Sequence, residues 1–192
     1  MLIILASTSS YRAELLERLQ LPFTAVAPDL DETPLEGETP SALVARLASG
    51  KAQAMAAQFE TGLVIGSDQV AVLGQDILGK PGTEDRSRAQ LTRLSGNEAL
   101  FLTGLCLLNA ETGNQRLTVS ENRVQFRNLE ASEIADYVRR EQPLDCAGAF
   151  KSEGLGIALF DSIGGDDPNA LIGLPLIELC AMLRKEGVSV LG

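Results

Sequence analysis

A chain of 192 residues, 45% hydrophobic and 22% charged, can bury a real core and has the make-up of an ordinary globular domain. It contains no histidine, which excludes Ser-His-Asp and Cys-His nucleophiles and nearly every catalytic zinc site. Acid–base work then falls to carboxylates, Lys, Tyr or metal-bound water. The formal net charge of −10 argues against a long nucleic acid partner, which needs a basic face, yet allows a small anion in a locally basic pocket.

Leu2 to Ala6 reads as a buried strand. It is far too short to span a bilayer and lacks the basic leader and cleavage site of a signal peptide. No other apolar run reaches membrane length, so a cytoplasmic protein without membrane association is expected. The polar run Ser7-Thr8-Ser9-Ser10 closes the strand, and a helix follows with Leu15, Leu16 and Leu19 on one face. Ser9 or Ser10 is placed to cap it. Residues 22–38, with prolines and acidic Asp29, Asp31 and Glu32, read as extended chain and loop. Thr39-Pro40 starts a helix running to about Gln58, its apolar face marked by Leu43, Val44, Leu47 and Ala48.

Leu63-Val64-Ile65 reads as a short core strand that exits into Gly66-Ser67-Asp68-Gln69. Val70 to Leu73 and Ile77-Leu78 form a hairpin around Gly74-Gln75-Asp76. Thr83 opens a helix carrying Leu91 and Leu94. Two longer strands, about 99–108 and 115–127, are joined by the turn Glu111-Thr112-Gly113-Asn114, and a helix spans about 131–141. A Gly-rich stretch from Gly148 to Gly156 leads to a strand at Ile157 to Phe160. The polar loop Gly164 to Asn169 precedes a last helix begun by Pro175 and packed through Leu176, Leu179, Cys180 and Leu183. There is no internal repeat or interdomain linker, so residues 1–192 are expected to form one α/β domain with a mixed sheet.

Cys106, Cys146 and Cys180 are scattered, with no CxxC pair and no zinc-ligand spacing. They read as three free thiols, at least two of them in the core. Any bound metal is then expected to be a hard cation with oxygen ligands, Mg²⁺ or Mn²⁺ before Zn²⁺.

Three segments carry residues suited to chemistry. Free N–H groups at the first helix start, the hydroxyls of Ser7 to Ser10, and Arg12 form an anion-binding arrangement. Asp68, after a core strand, can bind a divalent cation or orient a water. Glu32 sits in an acidic loop. Taken singly, each also has a structural reading: a capped helix with a surface arginine, a polar strand exit, a solvated loop.

Taken in order the pieces say more. Ala6-Ser7-Thr8-Ser9-Ser10-Tyr11-Arg12 is followed by Asp31-Glu32-Thr33, Lys51-Ala52, Gly66-Ser67-Asp68-Gln69 and Gly79-Lys80-Pro81. Ala147-Gly148-Ala149-Phe150-Lys151-Ser152-Glu153-Gly154 and Gly173-Leu174-Pro175 complete the set. This series resembles the Maf family of nucleotide pyrophosphatases along almost the whole chain. The resemblance implies an elongated α/β fold of the inosine-triphosphatase-like type, a central mixed sheet flanked by helices, and a substrate cleft. It implies that Ser7, Arg12, Lys51 and Lys80 grip a nucleoside triphosphate, that Glu32 and Asp68 hold a divalent metal, and that Asp68 is the catalytic base. One departure stands in the opening motif: Ser10 replaces a proline common in the family, and Arg12 lacks a second arginine beside it.

Within the family, Tyr11, Gln69 and Glu153 resemble the branch acting on 7-methyl-GTP, which has an aromatic residue, Gln and Glu there. The pyrimidine-preferring branch has Arg, Thr and Gln. A carboxylate at 153 suits the two neighbouring donors of guanine, and an aromatic face at 11 suits a cationic N7-methylated purine. The expected reaction is hydrolysis of 7-methyl-GTP to 7-methyl-GMP and pyrophosphate, removing modified nucleotides. Three alternatives stay open: a dTTP/UTP pyrophosphatase of the same family, a non-catalytic septum-formation regulator, and a sugar-nucleotide-binding α/β enzyme. A homodimer is common among family relatives.

Overall fold

The computed structural model describes residues 1–191. The chain divides into two compact units. The first contains residues 1–69, 103–120 and the segment from 167 onward; the second contains 70–102 and 121–166. Among the described residues, seven strands form one mixed sheet: β1 (Ile3–Ala6), β2 (Thr24–Val26), β3 (Leu63–Leu73), β4 (Asp76–Leu78), β5 (Glu98–Asn109), β6 (Gln115–Phe126) and β7 (Phe160–Gly165). Their order is β2-β1-β3-β5-β6-β7, with β4 paired to β3. β1 runs parallel to both β2 and β3, whereas β4 on β3 and β7 on β6 are antiparallel. Among the described residues there are five α-helices: α1 (Ser10–Glu17), α2 (Pro40–Ala56), α3 (Glu84–Leu94), α4 (Ala131–Glu141) and α5 (Leu176–Lys185).

In the first unit the period of two along each strand sorts apolar side chains onto two faces. Ile3, Leu5, Leu63, Ile65, Leu105 and Leu107 pack with Leu15 and Leu16 of α1 and Leu176, Leu179 and Leu183 of α5. The alternate residues Ile4, Ala6, Val64, Cys106 and Leu108 pack with Ala48, Ala52 and Met55 of α2. The sheet is therefore covered on both sides, which is what the nearly continuous apolar runs of parallel strands require. In the second unit, Phe101, Phe126, Phe150 and Phe160 form an edge-to-face cluster with ring centroids 4.9 to 5.6 Å apart.

The helix starts follow their caps. Ser9 accepts from the Arg12 N–H, Thr39 from Ala42 and Thr83 from Arg86. Four expectations need correction. β3 is one strand of 11 residues, so Ser67, Asp68 and Gln69 lie inside it, not beyond it. Ladder pairing carries the backbone through these polar positions, and their side chains find partners within the first unit. Residues 157–159 belong to a 3-10 turn, and the strand expected there is β7, starting at Phe160 and running through Gly165. The segment read as loop at 22–38 contributes the short strand β2. Only Cys106 is buried; Cys146 and Cys180 are half-buried, and all three are free thiols. Burial pushes the Cys106 thiol up to about 12, so it is inert.

Candidate active site

The site in the first unit begins with two glycines. A Cβ at Gly66 on β3 would lie 2.1 Å from the Ala48 carbonyl oxygen, and one at Gly104 on β5 would lie 2.2 Å from that of Val44. Both clashes are with the backbone of α2, so only glycine lets this helix settle so close to the sheet. That approach brings Lys51, one turn beyond Ala48, against Asp68, two residues beyond Gly66.

The Lys51 ammonium donates to Asp68 Oδ1 at 2.7 Å and lies 2.8 Å from Glu32 Oε1. Lys51 and Asp68 are only 5% and 7% exposed, whereas the Glu32 side chain is 56% exposed. One cation thus bridges an inner and an outer carboxylate. The loop carrying Glu32 is held by neighbours that the sequence reading did not single out. Arg46 of α2 forms a two-pronged pair with Glu38 at 2.6 and 2.8 Å and donates to the Thr33 carbonyl. Asp31 Oδ1 accepts from the Thr33 N–H, and Glu38 Oε2 from that of Leu35. Hydrogen bonding to Arg46 and to Leu35 holds the Glu38 carboxyl down at about 2.

Arg12 stands on the first turn of α1. Its Nε donates to the Gly173 carbonyl at 2.9 Å, and its Nη1 reaches Ser7 Oγ at 3.4 Å. Burial lowers the pKa of this guanidinium, while the negative charges of Asp68 and Glu32 raise it. It stays charged, as arginine does in proteins. Ser7 is buried and also accepts from the Ser9 N–H. Gly173 has φ +127, a backbone conformation that side chains rarely adopt, and its carbonyl also accepts from Ser67 Oγ at 2.9 Å.

Gln69, next to Asp68, directs its amide nitrogen at Thr103 Oγ1 (2.9 Å), Ala170 O (2.8 Å) and Leu171 O (3.1 Å). Tyr11 is half-buried beside Arg12 on α1. The structure therefore gathers Ser7, Arg12, Glu32, Lys51, Asp68 and Gln69 in one unit, from the turn after β1, α1, the 31–38 loop, α2 and β3. Lys80 and Glu153 belong to the second unit and are both exposed. The turn carrying Lys80 is fixed by Gln90, whose amide donates to the Gly79 carbonyl. Ser152 Oγ lies 3.4 Å from Glu153 Oε2, and Lys151 is tied to the Glu141 carbonyl and the Tyr137 hydroxyl.

Among the described residues there is no group of three or more Asp, Glu, His or Cys side chains that could hold a metal ion. Glu32 and Asp68 are two oxygen donors with a lysine between them. Such a pair suits Mg²⁺ or Mn²⁺ completed by substrate phosphates, since Mg²⁺ is commonly held by one or two carboxylates plus phosphate oxygens. Sequence reasoning missed Glu38, Arg46, Thr103 and the carbonyls of residues 170–173. Only Gly173 had been noted, as part of Gly173-Leu174-Pro175. No helix among the described residues is long and apolar enough to cross a membrane.

Comparison with known proteins agrees with this architecture. The solved structure of the Staphylococcus aureus Ham1 protein superposes with a TM-score of 0.53, covering 97% of this chain and 100% of the other. At 14% identity that likeness speaks for the fold alone. A protein of Nitrosococcus oceani named 7-methyl-GTP pyrophosphatase is 57% identical over 189 residues, covering 98% of this chain and 95% of its own length. The family model described as Maf-like protein matches residues 2–186. With fold, gathered residues and near-full-length match in agreement, this chain belongs to the Maf family.

Proposed function

We propose that the chain is a nucleoside triphosphate pyrophosphatase that hydrolyses 7-methyl-GTP to 7-methyl-GMP and pyrophosphate. The observation that carries the chemistry is the largely buried Asp68 paired with Lys51, with Arg12 near enough to feel its charge and bonded in turn to Ser7. The substrate rests on the relative named 7-methyl-GTP pyrophosphatase, 57% identical over nearly the whole chain. Tyr11, Gln69 and Glu153 agree with that branch.

In this reading a water oxygen attacks the α-phosphorus and the bond from that phosphorus to the α–β bridging oxygen breaks. The proton lost by the water passes to the Asp68 carboxylate, and pyrophosphate departs. Arg12 and Lys51 meet the charge that builds on the departing oxygens, with Lys80 of the second unit assigned to the same role through the family resemblance. Ser7 donates its hydroxyl to a phosphate oxygen. Glu32 and Asp68 would hold the divalent cation, which neutralises phosphate charge as a Lewis acid. Glu153 accepts the donors of the guanine pairing edge, and Tyr11 faces the methylated base. Residues 1–192 act as one catalytic domain, a homodimer is the expected assembly, and the cytoplasm is the expected compartment.

The experiment that tests the substrate is pyrophosphate release from 7-methyl-GTP, GTP, UTP and dTTP with Mg²⁺, Mn²⁺ or EDTA. Metal-dependent release strongest on 7-methyl-GTP is expected. Strongest release from UTP or dTTP overturns the branch, and no release from any of the four overturns the enzyme reading.

A further inference from the structure

The turn that carries Glu153 is held at both ends by α4, within the second unit. At its entry the Lys151 N–H donates to the Tyr137 hydroxyl at 3.0 Å. At its exit the Leu155 N–H donates to Glu141 Oε1 at 2.9 Å. A third tie joins the same residues: the Lys151 ammonium donates to the Glu141 carbonyl at 3.0 Å. Glu141 is the last residue of α4, where carbonyls lack a partner within the helix and a cation is favoured. Neither Tyr137 nor Glu141 stands in the ordered motifs.

The turn itself is tightly closed. The Lys151 carbonyl accepts from the Gly154 N–H at 3.2 Å and from the Gly156 N–H at 3.1 Å. A Cβ at Gly156 would lie 2.2 Å from that carbonyl oxygen, so only glycine permits this closure. A Cβ at Gly154 would lie 3.0 Å from each oxygen of the Glu141 carboxylate, so the carboxylate packs directly against the turn. Tyr137 is buried, whereas Glu153, between the two ties, is exposed. An exposed side chain on a turn has no packing of its own to fix it. Its place is set by the backbone bonds on either side.

We propose that Glu141, together with Tyr137, is a positioning residue for selection of the base: its carboxylate fixes the exit of the 151–155 turn and thereby the place of Glu153. The part concerning the base rests on the function proposed above. Selection by hydrogen bonding needs the acceptor held in place before the nucleotide arrives, and a supporting residue supplies that hold.

The test compares Glu141→Ala, which removes the tie at Leu155, with Glu141→Gln, which keeps an oxygen able to accept the same N–H. Hydrogen exchange of the Leu155 backbone amide is followed by NMR in ¹⁵N-labelled protein. Exchange is expected to quicken by at least about tenfold in Glu141→Ala and to stay slow in Glu141→Gln. The ratio of kcat/KM for 7-methyl-GTP over UTP is expected to fall at least about threefold in Glu141→Ala and to recover in Glu141→Gln. Loss of folded protein lowers both terms equally and leaves that ratio unmoved. Should Glu141→Ala fail to fold, Tyr137→Phe keeps the ring and opens the other end, with the Lys151 amide as reporter. In a Glu153→Gln background, Glu141→Ala is expected to leave the ratio unchanged, because the side chain it positions has been replaced. A further fall there shows that Glu141 acts by another route and overturns the proposal. Exchange that does not quicken in Glu141→Ala overturns the tie, and equal losses in the Ala and Gln variants overturn the hydrogen bond as its cause. Quickened exchange with an unchanged ratio overturns the role in selection. If the unaltered chain shows no preference for 7-methyl-GTP, the substrate assignment fails and the exchange measurement alone decides the role of Glu141.

Discussion

The Lys51 ammonium lies 2.7 Å from Asp68 Oδ1 and 2.8 Å from Glu32 Oε1, so a single lysine neutralises the two carboxylates expected to face the cation and the reacting water. Its position depends on α2 lying close against β3 and β5. The close packing of α2 on the sheet thus sets the electrostatics of the site.

Removing this cation has two consequences. Lys51→Met leaves Asp68 largely buried without its ion pair, which costs about 3 kcal/mol. Mg²⁺ should recover more of that loss in the variant than it adds to the unaltered chain, because the metal takes the place of the ammonium. Thermal unfolding with and without Mg²⁺ measures both effects. Equal Mg²⁺ stabilisation of the two proteins would show that lysine and metal do not share a place.

Gly66→Ala tests the packing. The added Cβ meets the Ala48 carbonyl at 2.1 Å and the Ala52 nitrogen at 2.8 Å, so α2 must move. A loss of roughly 1–3 kcal/mol is expected. Pyrophosphate release should fall further than the folded fraction does, since Lys51 moves with the helix. A variant with unaltered melting temperature and activity would break the link between this glycine and the site.

The Arg46–Glu38 pair gives a pH signature. The Glu38 carboxyl sits at about 2, well below its usual 4.5, because Arg46 and the Leu35 N–H stabilise its charged form. Its contribution is therefore complete above pH 4.5 and is lost as pH falls toward 2. Glu38→Gln should flatten the fall in urea midpoint across that window and leave the slope at neutral pH unchanged. Parallel curves for the two proteins in acid would remove Glu38 as the source.

Glu153→Gln probes selection of the base. Replacing a charged acceptor of two guanine donors with an amide should lower kcat/KM for 7-methyl-GTP relative to UTP by about tenfold. Relative rates on the two nucleotides provide the check, and an unchanged ratio would free Glu153 of any part in selection.

Local signals in the sequence were enough for most elements. The helix starts at Ser9, Thr39 and Thr83 were legible because capping is written within three residues. Ser67-Asp68-Gln69 misled as a strand exit, since polarity there reflects partners far along the chain: Ser67 bonds Gly104 and Gly173, and Gln69 bonds Ala170. Pattern along one strand cannot reveal such partners. Residues 157–159 misled because their apolar character sits in a tight turn that sequence periodicity does not distinguish from a short strand. Of the candidate site, the residues gathered in the first unit stand in ordered motifs, and their chemical roles are the proposal made above. Arg46, Glu38 and the 170–173 carbonyls were not, because a side chain that positions another has no motif of its own.

The most direct measurement is pyrophosphate release from 7-methyl-GTP in Mg²⁺ by the unaltered chain and by Asp68→Asn, with circular dichroism confirming that both are folded. The amide keeps an oxygen for Lys51 but cannot take the proton of the attacking water, so a loss of at least about 100-fold is expected. Release by the folded variant at the unaltered rate would contradict the assignment of Asp68 as the base, and with it the reaction drawn for this site.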